Sequence, residues 1–201
     1  MQRMLGLSEI RIAGFGGQGV ILAAAVIGKA AAIFQNGHAT MTQSFGPEAR
    51  GGSSSAQVIL SGEPILYPYI TQPDVLVVMS QEAFTRFSPE LKPGGILITE
   101  QELVRVDRIP NGVRAYGVPA TRLAEELGRK VVLNIVMVGF FGAVTNLLEH
   151  DALRQAVADS VPPAMQKLNL QAFDKGFEYG AGLIAKLAVE SAAEPYVMES
   201  E

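Results

Sequence analysis

Two glycine-rich segments constrain this chain more than anything else in it. The first is Gly14–Gly19 (GFGGQG) and the second is Ser44–Gly52 (SFGPEARGG). Glycine reaches backbone conformations closed to other residues and lets another backbone come close, so such runs mark tight turns and close approaches. The first segment follows the strand-like run Glu9–Ala13 and opens the helix-like run Val20–Phe34 (VILAAAVIGKAAAIF). Backbone N–H groups at a helix start of this kind face an anion or another chain. The second segment follows the strand-like run Ala39–Phe45 and is too rich in glycine and charge to be a core strand. Two loops at the ends of neighbouring strands lie at one edge of a sheet, the edge where open α/β folds bind ligands.

The rest of the chain alternates between strand and helix patterns. Val75–Met79 (VLVVM) is continuously apolar, as a strand buried on both faces should be, and Ile96–Thr99 reads the same way. Ser53–Ser61 and Val113–Val118 are further strands, set off by Gly62-Glu63-Pro64 and Asn111-Gly112. Helices are predicted over Val20–Phe34, Gln81–Phe87, Thr121–Leu127, Val131–Leu148, Asp151–Ser160 and Gln166–Lys186, with Thr121 as an N-cap. The alternation predicts a doubly wound α/β domain with a mostly parallel sheet. Ser53–Ser61 alternates and follows its neighbour through a short loop, which predicts one antiparallel strand. A single domain is expected over residues 1–186, with a frayed tail over 187–201.

Composition excludes several classes. The 201 residues contain no cysteine, which removes thiolate-held clusters, zinc-thiolate sites and disulfides. A net charge of −4 gives no general field for nucleic acid. At 48% apolar and 18% charged, a sizeable core is available. The start MQRMLGLSEI is too short and too soon polar for a signal peptide. Val131–Leu148 is 18 residues without a charge, but its asparagines and glycines, and the lack of a partner span, argue for a buried helix rather than a membrane crossing. In so small a domain, a helix apolar nearly all round is expected to have one face covered by another subunit.

The chemistry of the loops is open on the residues alone. Gly14, Gly16 and Gly19 fit G-x-G-x-x-G, but dinucleotide binding also needs an acid at the end of the second strand. That strand ends in Gln43-Ser44-Phe45, and Glu48 is the nearest carboxylate. No Gly-Lys-Ser/Thr follows, so this is not a phosphate-binding P-loop. The same glycines would also serve a plain tight turn. Glu48 and Arg50 form either a solvated surface couple or a stiff wedge, started by Pro47 and ended by Gly51-Gly52, that presents Arg50 to a partner or an anion. His38 and His150 read as surface or capping residues, and Glu100, Glu102 and Asp107 as a solvated turn. No catalytic residue and no metal ligand set stands out, which points to a subunit of a larger enzyme.

In order along the chain, GFGGQGVILAAAVIGKAA, SFGPEARGGSSSAQVILS, QPDVLVVMSQEAF, LKPGGILI and NIVMVGFFGAVTNLL resemble the gamma subunit of the 2-oxoacid:ferredoxin oxidoreductases. The likeness runs from about Ile10 to Gly180 and extends to Asn169–Phe173 and Gly176 near the end. The pairing of GxGGQG with SxGPExRGG is the specific element. The resemblance implies a Rossmann-like domain in a complex that decarboxylates a 2-oxoacid, with 2-oxoglutarate the first choice before branched-chain, pyruvate and indolepyruvate substrates. It implies thiamine diphosphate and magnesium held between alpha and beta subunits. Iron–sulfur clusters would sit in the beta subunit or a ferredoxin-like delta chain, with coenzyme A taking the acyl group and ferredoxin the electrons. On that reading Gly16, Gly17, Gln18 and Gly19, with Ser44, Gly46, Pro47, Glu48, Arg50, Gly51 and Gly52, line the contact with the partner chains or coenzyme A. The absence of cysteine agrees with a cytoplasmic protein, and the subunit reading predicts poor solubility or self-association of the chain made alone. The competing readings are a free-standing nucleotide-binding oxidoreductase and a structural α/β domain without a ligand.

Overall fold

The protein is described here from a computed structural model, which covers residues 5–46 and 51–193. Its strands are β1 (Ser8–Phe15), β2 (His38–Phe45), β3 (Ser53–Ser61), β4 (Val75–Val78), β5 (Ile96–Glu100) and β6 (Arg114–Val118). The helices are α1 (Val20–Lys29), α2 (Gln81–Phe87), α3 (Ala120–Glu126), α4 (Leu133–Thr145), α5 (His150–Asp159) and α6 (Pro163–Ala193). The strands form one sheet in the order β2-β3-β1-β4-β5-β6. β3 runs antiparallel to both β1 and β2, and β1, β4, β5 and β6 run parallel. The mixed sheet and its single reversed strand match the sequence reading.

Each face of the sheet is covered by different residues of the same strands, as the period of two requires. Ile10 and Ile12 of β1 join α1, α3, α4 and α5 in the larger core. Ala13 of the same strand joins Leu76, Val78 and Leu97 against Ala83 and Phe84 of α2 in the smaller one. Arg11, between those isoleucines, is buried, pairs with Glu90 and stacks over Phe87 at 4.7 Å.

The expectation that α4 needs a second subunit to cover it is corrected. Every residue from Asn134 to Gly142 is buried within this one chain. The cover is α6, which lies across α4 with backbone against backbone. A Cβ built on Gly139 would fall onto the carbonyl oxygen of Phe173, and one on Gly176 onto that of Val136. α1 is likewise mostly buried internally, and continues as a π-helical turn over Ala30–Phe34. α6 itself runs to Ala193, beyond the expected end at Lys186. Its residues there are good helix formers, and Lys186 faces Glu190 one turn on.

Two acidic and capping assignments change as well. Glu100 is fully buried, not solvated. Its carboxylate accepts from the backbone N–H groups of Glu102 (2.9 Å), Leu103 (2.7 Å) and Thr121 (3.0 Å). The start of α3 is thus held by Glu100, whereas the Thr121 hydroxyl caps nothing and has no hydrogen-bond partner. Glu100→Ala removes the acceptor from the amides of Glu102 and Thr121, while the Leu103 N–H keeps its bond to the Glu100 main-chain carbonyl at 3.2 Å. At about 1–3 kcal/mol for each amide left unpaired, the expected loss is about 2 kcal/mol or more in chemical denaturation, and Glu100→Gln, which keeps one acceptor oxygen, should lose less.

Candidate functional site

β1 lies where the strand order reverses, with β3 and β2 to one side and β4, β5 and β6 to the other. A crevice outside the carboxyl end of such a strand is the usual ligand site of an open α/β sheet. The loop Gly14–Gly19 leaves β1 at that point. Because β3 is antiparallel, the β2–β3 hairpin turns at the same edge, with Phe15 opposite Ser53 and Phe45 opposite Ser54.

The first loop is pinned from inside by Gln18. Its Oε1 accepts from the Phe15 N–H (2.6 Å) and its Nε2 donates to the Met79 carbonyl at the end of β4 (2.7 Å). Gly17 and Gly19 have φ of 96° and 74°, a region that side chains rarely adopt. At Gly19 space is closed too, since a Cβ would lie 2.5 Å from Asn134 Nδ2. At Gly17 a Cβ would meet nothing within 4 Å, and the residue is exposed. The loop is therefore rigid beneath and bare on top.

The two glycine segments meet. The Gly16 N–H donates to the Gly52 carbonyl at 2.7 Å, and the hairpin is closed below by Gly46 N–H to Ser53 O at 2.7 Å. Of the residues expected at this edge, Gly16, Gly17, Gln18, Gly19, Ser44, Gly46, Gly51 and Gly52 are described and stand together there. Pro47, Glu48 and Arg50 lie outside the described residues.

Beside the hairpin, Ser44, Ser53 and Ser55 open with Ser80 and Arg86 onto a small cleft against Phe87. Arg86 brings a cation to this edge, 5.1 Å from the Phe87 ring. Sequence reading missed it, although its place in the last turn of α2 was legible. His38 is exposed on the edge strand. His150 starts α5, bonded to Asp151 at 2.9 Å and packed on Phe177 at 4.5 Å. Neither is at the loops.

The titratable groups with displaced pKa values also lie elsewhere. Lys92, at the opposite sheet edge, is lowered by burial but raised overall by its bonds to Glu9 (2.6 Å) and Asp74 (2.9 Å). Both ion pairs stand at neutral pH, and the stability that the raised lysine contributes is lost as pH rises past the ordinary lysine range. Among the described residues, no cluster of His, Asp or Glu could hold a metal ion. No helix among them is long and apolar enough to cross a membrane. What the described residues of the edge offer is backbone, hydroxyls and a cation.

Residues 9–179 match the family model described as pyruvate ferredoxin/flavodoxin oxidoreductase. The 2-oxoglutarate synthase subunit KorC of Methanocaldococcus jannaschii is 45% identical over 172 residues, covering 85% of this chain and 92% of that one. Among solved structures, a keto/oxoacid ferredoxin oxidoreductase gamma subunit from Geobacter sulfurreducens superposes with a TM-score of 0.79 at 37% identity, covering 88% of this chain and 98% of that one. A 2-oxoglutarate:ferredoxin oxidoreductase from Magnetococcus marinus, with 2-oxoglutarate, coenzyme A and succinyl-CoA bound, superposes with a TM-score of 0.75 at 27% identity. That match covers 89% of this chain and 31% of the longer one.

Proposed function

This chain belongs to the pyruvate ferredoxin/flavodoxin oxidoreductase family, as a gamma-type subunit of a 2-oxoacid:ferredoxin oxidoreductase, and we propose that the enzyme it serves acts on 2-oxoglutarate. In that reaction carbon dioxide leaves the oxoacid, the acyl group passes to the thiol of coenzyme A, and an electron pair goes to ferredoxin. The observation that carries the choice of substrate is the likeness to a 2-oxoglutarate synthase subunit over nearly the whole of both chains.

The chemistry is divided between chains. With no cysteine, this chain cannot ligate an iron–sulfur cluster through thiolates. Thiamine diphosphate, magnesium and the clusters belong to alpha, beta and ferredoxin-like delta partners in a cytoplasmic complex. The role of this chain is to present the loop edge. Gly16–Gly19 and the Ser44–Gly52 hairpin pack on the thiamine-binding chains, and Arg50 and the uncapped first turn of α1 suit the phosphates of coenzyme A.

The test is to purify the tagged chain from its native host, identify what accompanies it, and assay ferredoxin reduction with each oxoacid. Thiamine-binding and cluster-binding chains in fixed ratio, with reduction driven by 2-oxoglutarate and coenzyme A, are the expected result. The same complex driven by pyruvate or a branched-chain oxoacid overturns the substrate. A lone, folded chain that binds NAD or FAD overturns the subunit role.

A further inference from the structure

Asparagine precedes glycine twice in this chain, at Asn36-Gly37 and at Asn111-Gly112. That dipeptide carries a reaction of its own. The amide nitrogen after the asparagine attacks the side-chain carboxamide, and a glycine there, lacking a Cβ, leaves the approach open. The attack needs a nitrogen whose hydrogen is not held by an acceptor. It also needs a main chain with room to swing. The fold treats the two sites oppositely on both counts.

At the second site, Pro110–Val113 form a turn closed by the Val113 N–H to the Pro110 carbonyl at 3.3 Å. Gly112 takes its third place with φ 75°, the conformation that favours glycine there. The turn's own bond leaves the Gly112 N–H unused, and it donates to no acceptor among the described residues. The Asn111 carboxamide likewise has no hydrogen bond among them. Both residues are exposed. At the first site, Asn36 is exposed too, but the Gly37 N–H donates to the Ala31 carbonyl at 2.9 Å. Gly37 is also enclosed, since a Cβ on it would lie 2.6 Å from Leu5 Cδ1 and 3.1 Å from the Ser61 carbonyl oxygen. Its nitrogen is engaged and its peptide has nowhere to turn.

We propose that Asn111 is a site of spontaneous deamidation and isomerisation, and that the fold protects Asn36 from the same chemistry. The Gly112 nitrogen loses its proton to solvent base and bonds to Asn111 Cγ. The bond from Cγ to Nδ2 breaks, and the nitrogen leaves as ammonia with a proton from solvent. Water then opens the resulting five-membered imide. Opening at Cγ yields aspartate at position 111, and opening at the main-chain carbonyl carbon yields isoaspartate. One water enters and one ammonia leaves, with no change of oxidation state. Either product adds a negative charge. The isoaspartate also adds a methylene to the main chain, which lengthens the turn and opens the bond between Val113 and Pro110. β6 runs parallel to β1 and begins just after this turn, so the change falls at the sheet edge away from the Gly14–Gly19 loop. The reaction needs only this chain and water.

The test is to hold the full chain, folded, in mildly alkaline buffer, and to follow both positions by mass spectrometry after digestion at mildly acidic pH. An isoaspartyl methyltransferase, which methylates only the isomerised product, counts the isoaspartate. Position 111 should convert steadily, with isoaspartate present. Position 36 should lag by about tenfold or more, which corresponds to about 1.4 kcal/mol for opening the corner that holds Gly37. In concentrated urea the two positions should convert at similar rates. Gly112→Ala, whose methyl group crowds the attacking nitrogen, should slow position 111 and leave position 36 unchanged. No conversion at position 111 in the folded chain overturns the proposal. So does equal conversion at the two positions in the folded chain, or a lag at position 36 that persists in urea.

Discussion

Replacing Gly176 with alanine is expected to cost the isolated chain about 3 kcal/mol in chemical denaturation, the upper end of what overpacking costs, and Gly139→Ala a similar amount. The new methyl group has no free space to enter. It would fall onto the main-chain carbonyl of Val136, and the one at Gly139 onto that of Phe173. A flexible side chain could turn aside, but a carbonyl inside a helix moves only with the helix. Parting α4 from α6 would in turn loosen the fully buried Phe140, Phe141 and Phe173, which fill the space around the crossing. Gly182→Ala is the control on the same helix. Its Cβ meets nothing within 4 Å, so helix propensity alone should act, with a gain of about 0.5–1 kcal/mol. Equal midpoints for Gly176→Ala and Gly182→Ala would disprove the close crossing.

That crossing is also where the sequence was hardest to read. The strands were legible because their signals are local. Val75–Val78 is apolar on both faces and Ser53–Ser61 alternates, and these patterns survive in the parallel and antiparallel neighbours they acquired. That α4 would be buried was equally plain, but what buries it was not. The answer lies in glycines on two distant helices, Gly139 of α4 against the backbone of Phe173 and Phe177, and Gly176 and Gly180 of α6 against Val136, Phe140 and Ala143. Either set alone reads as a weak spot in a helix. Only together do they let two backbones touch, and so replace the second subunit that the apolar run alone demands.

Glu100 failed for a similar reason. An acid after an apolar strand looks solvated, and nothing nearby in sequence says that Thr121, far along the chain, turns an amide toward it. The candidate site was more legible because its material is backbone. The glycines announce exposed main chain wherever the fold places them, and the strand pattern placed both loops at one edge. The Gly16–Gly52 hydrogen bond follows from that placement.

Gly17→Val is expected to leave a folded chain and abolish its assembly with the thiamine-binding chains. Two effects of the substitution can be separated. The first is backbone strain, because φ at this position is 96° and a side chain there costs roughly 1–2 kcal/mol. Alanine and valine share the part that comes from the Cβ, and β-branched valine adds a further clash with the backbone. The second is bulk above the loop. Inside the chain bulk meets nothing within 4 Å, so it adds little to the loss of stability. Against a partner packed on bare backbone it is a direct obstruction. Stability of the isolated chain should therefore fall in both Gly17→Ala and Gly17→Val, somewhat further in the second, with both chains still folded. Co-purification of the partners should survive, weakened, in the first and disappear in the second. Gly19→Ala provides the opposite case, because its methyl group strikes Asn134 within the chain and should destabilise the chain before any partner is added. If Gly17→Val recovers the partners as fully as the unaltered chain does, the top of this loop faces solvent in the complex, and the interface must be sought elsewhere on the molecule.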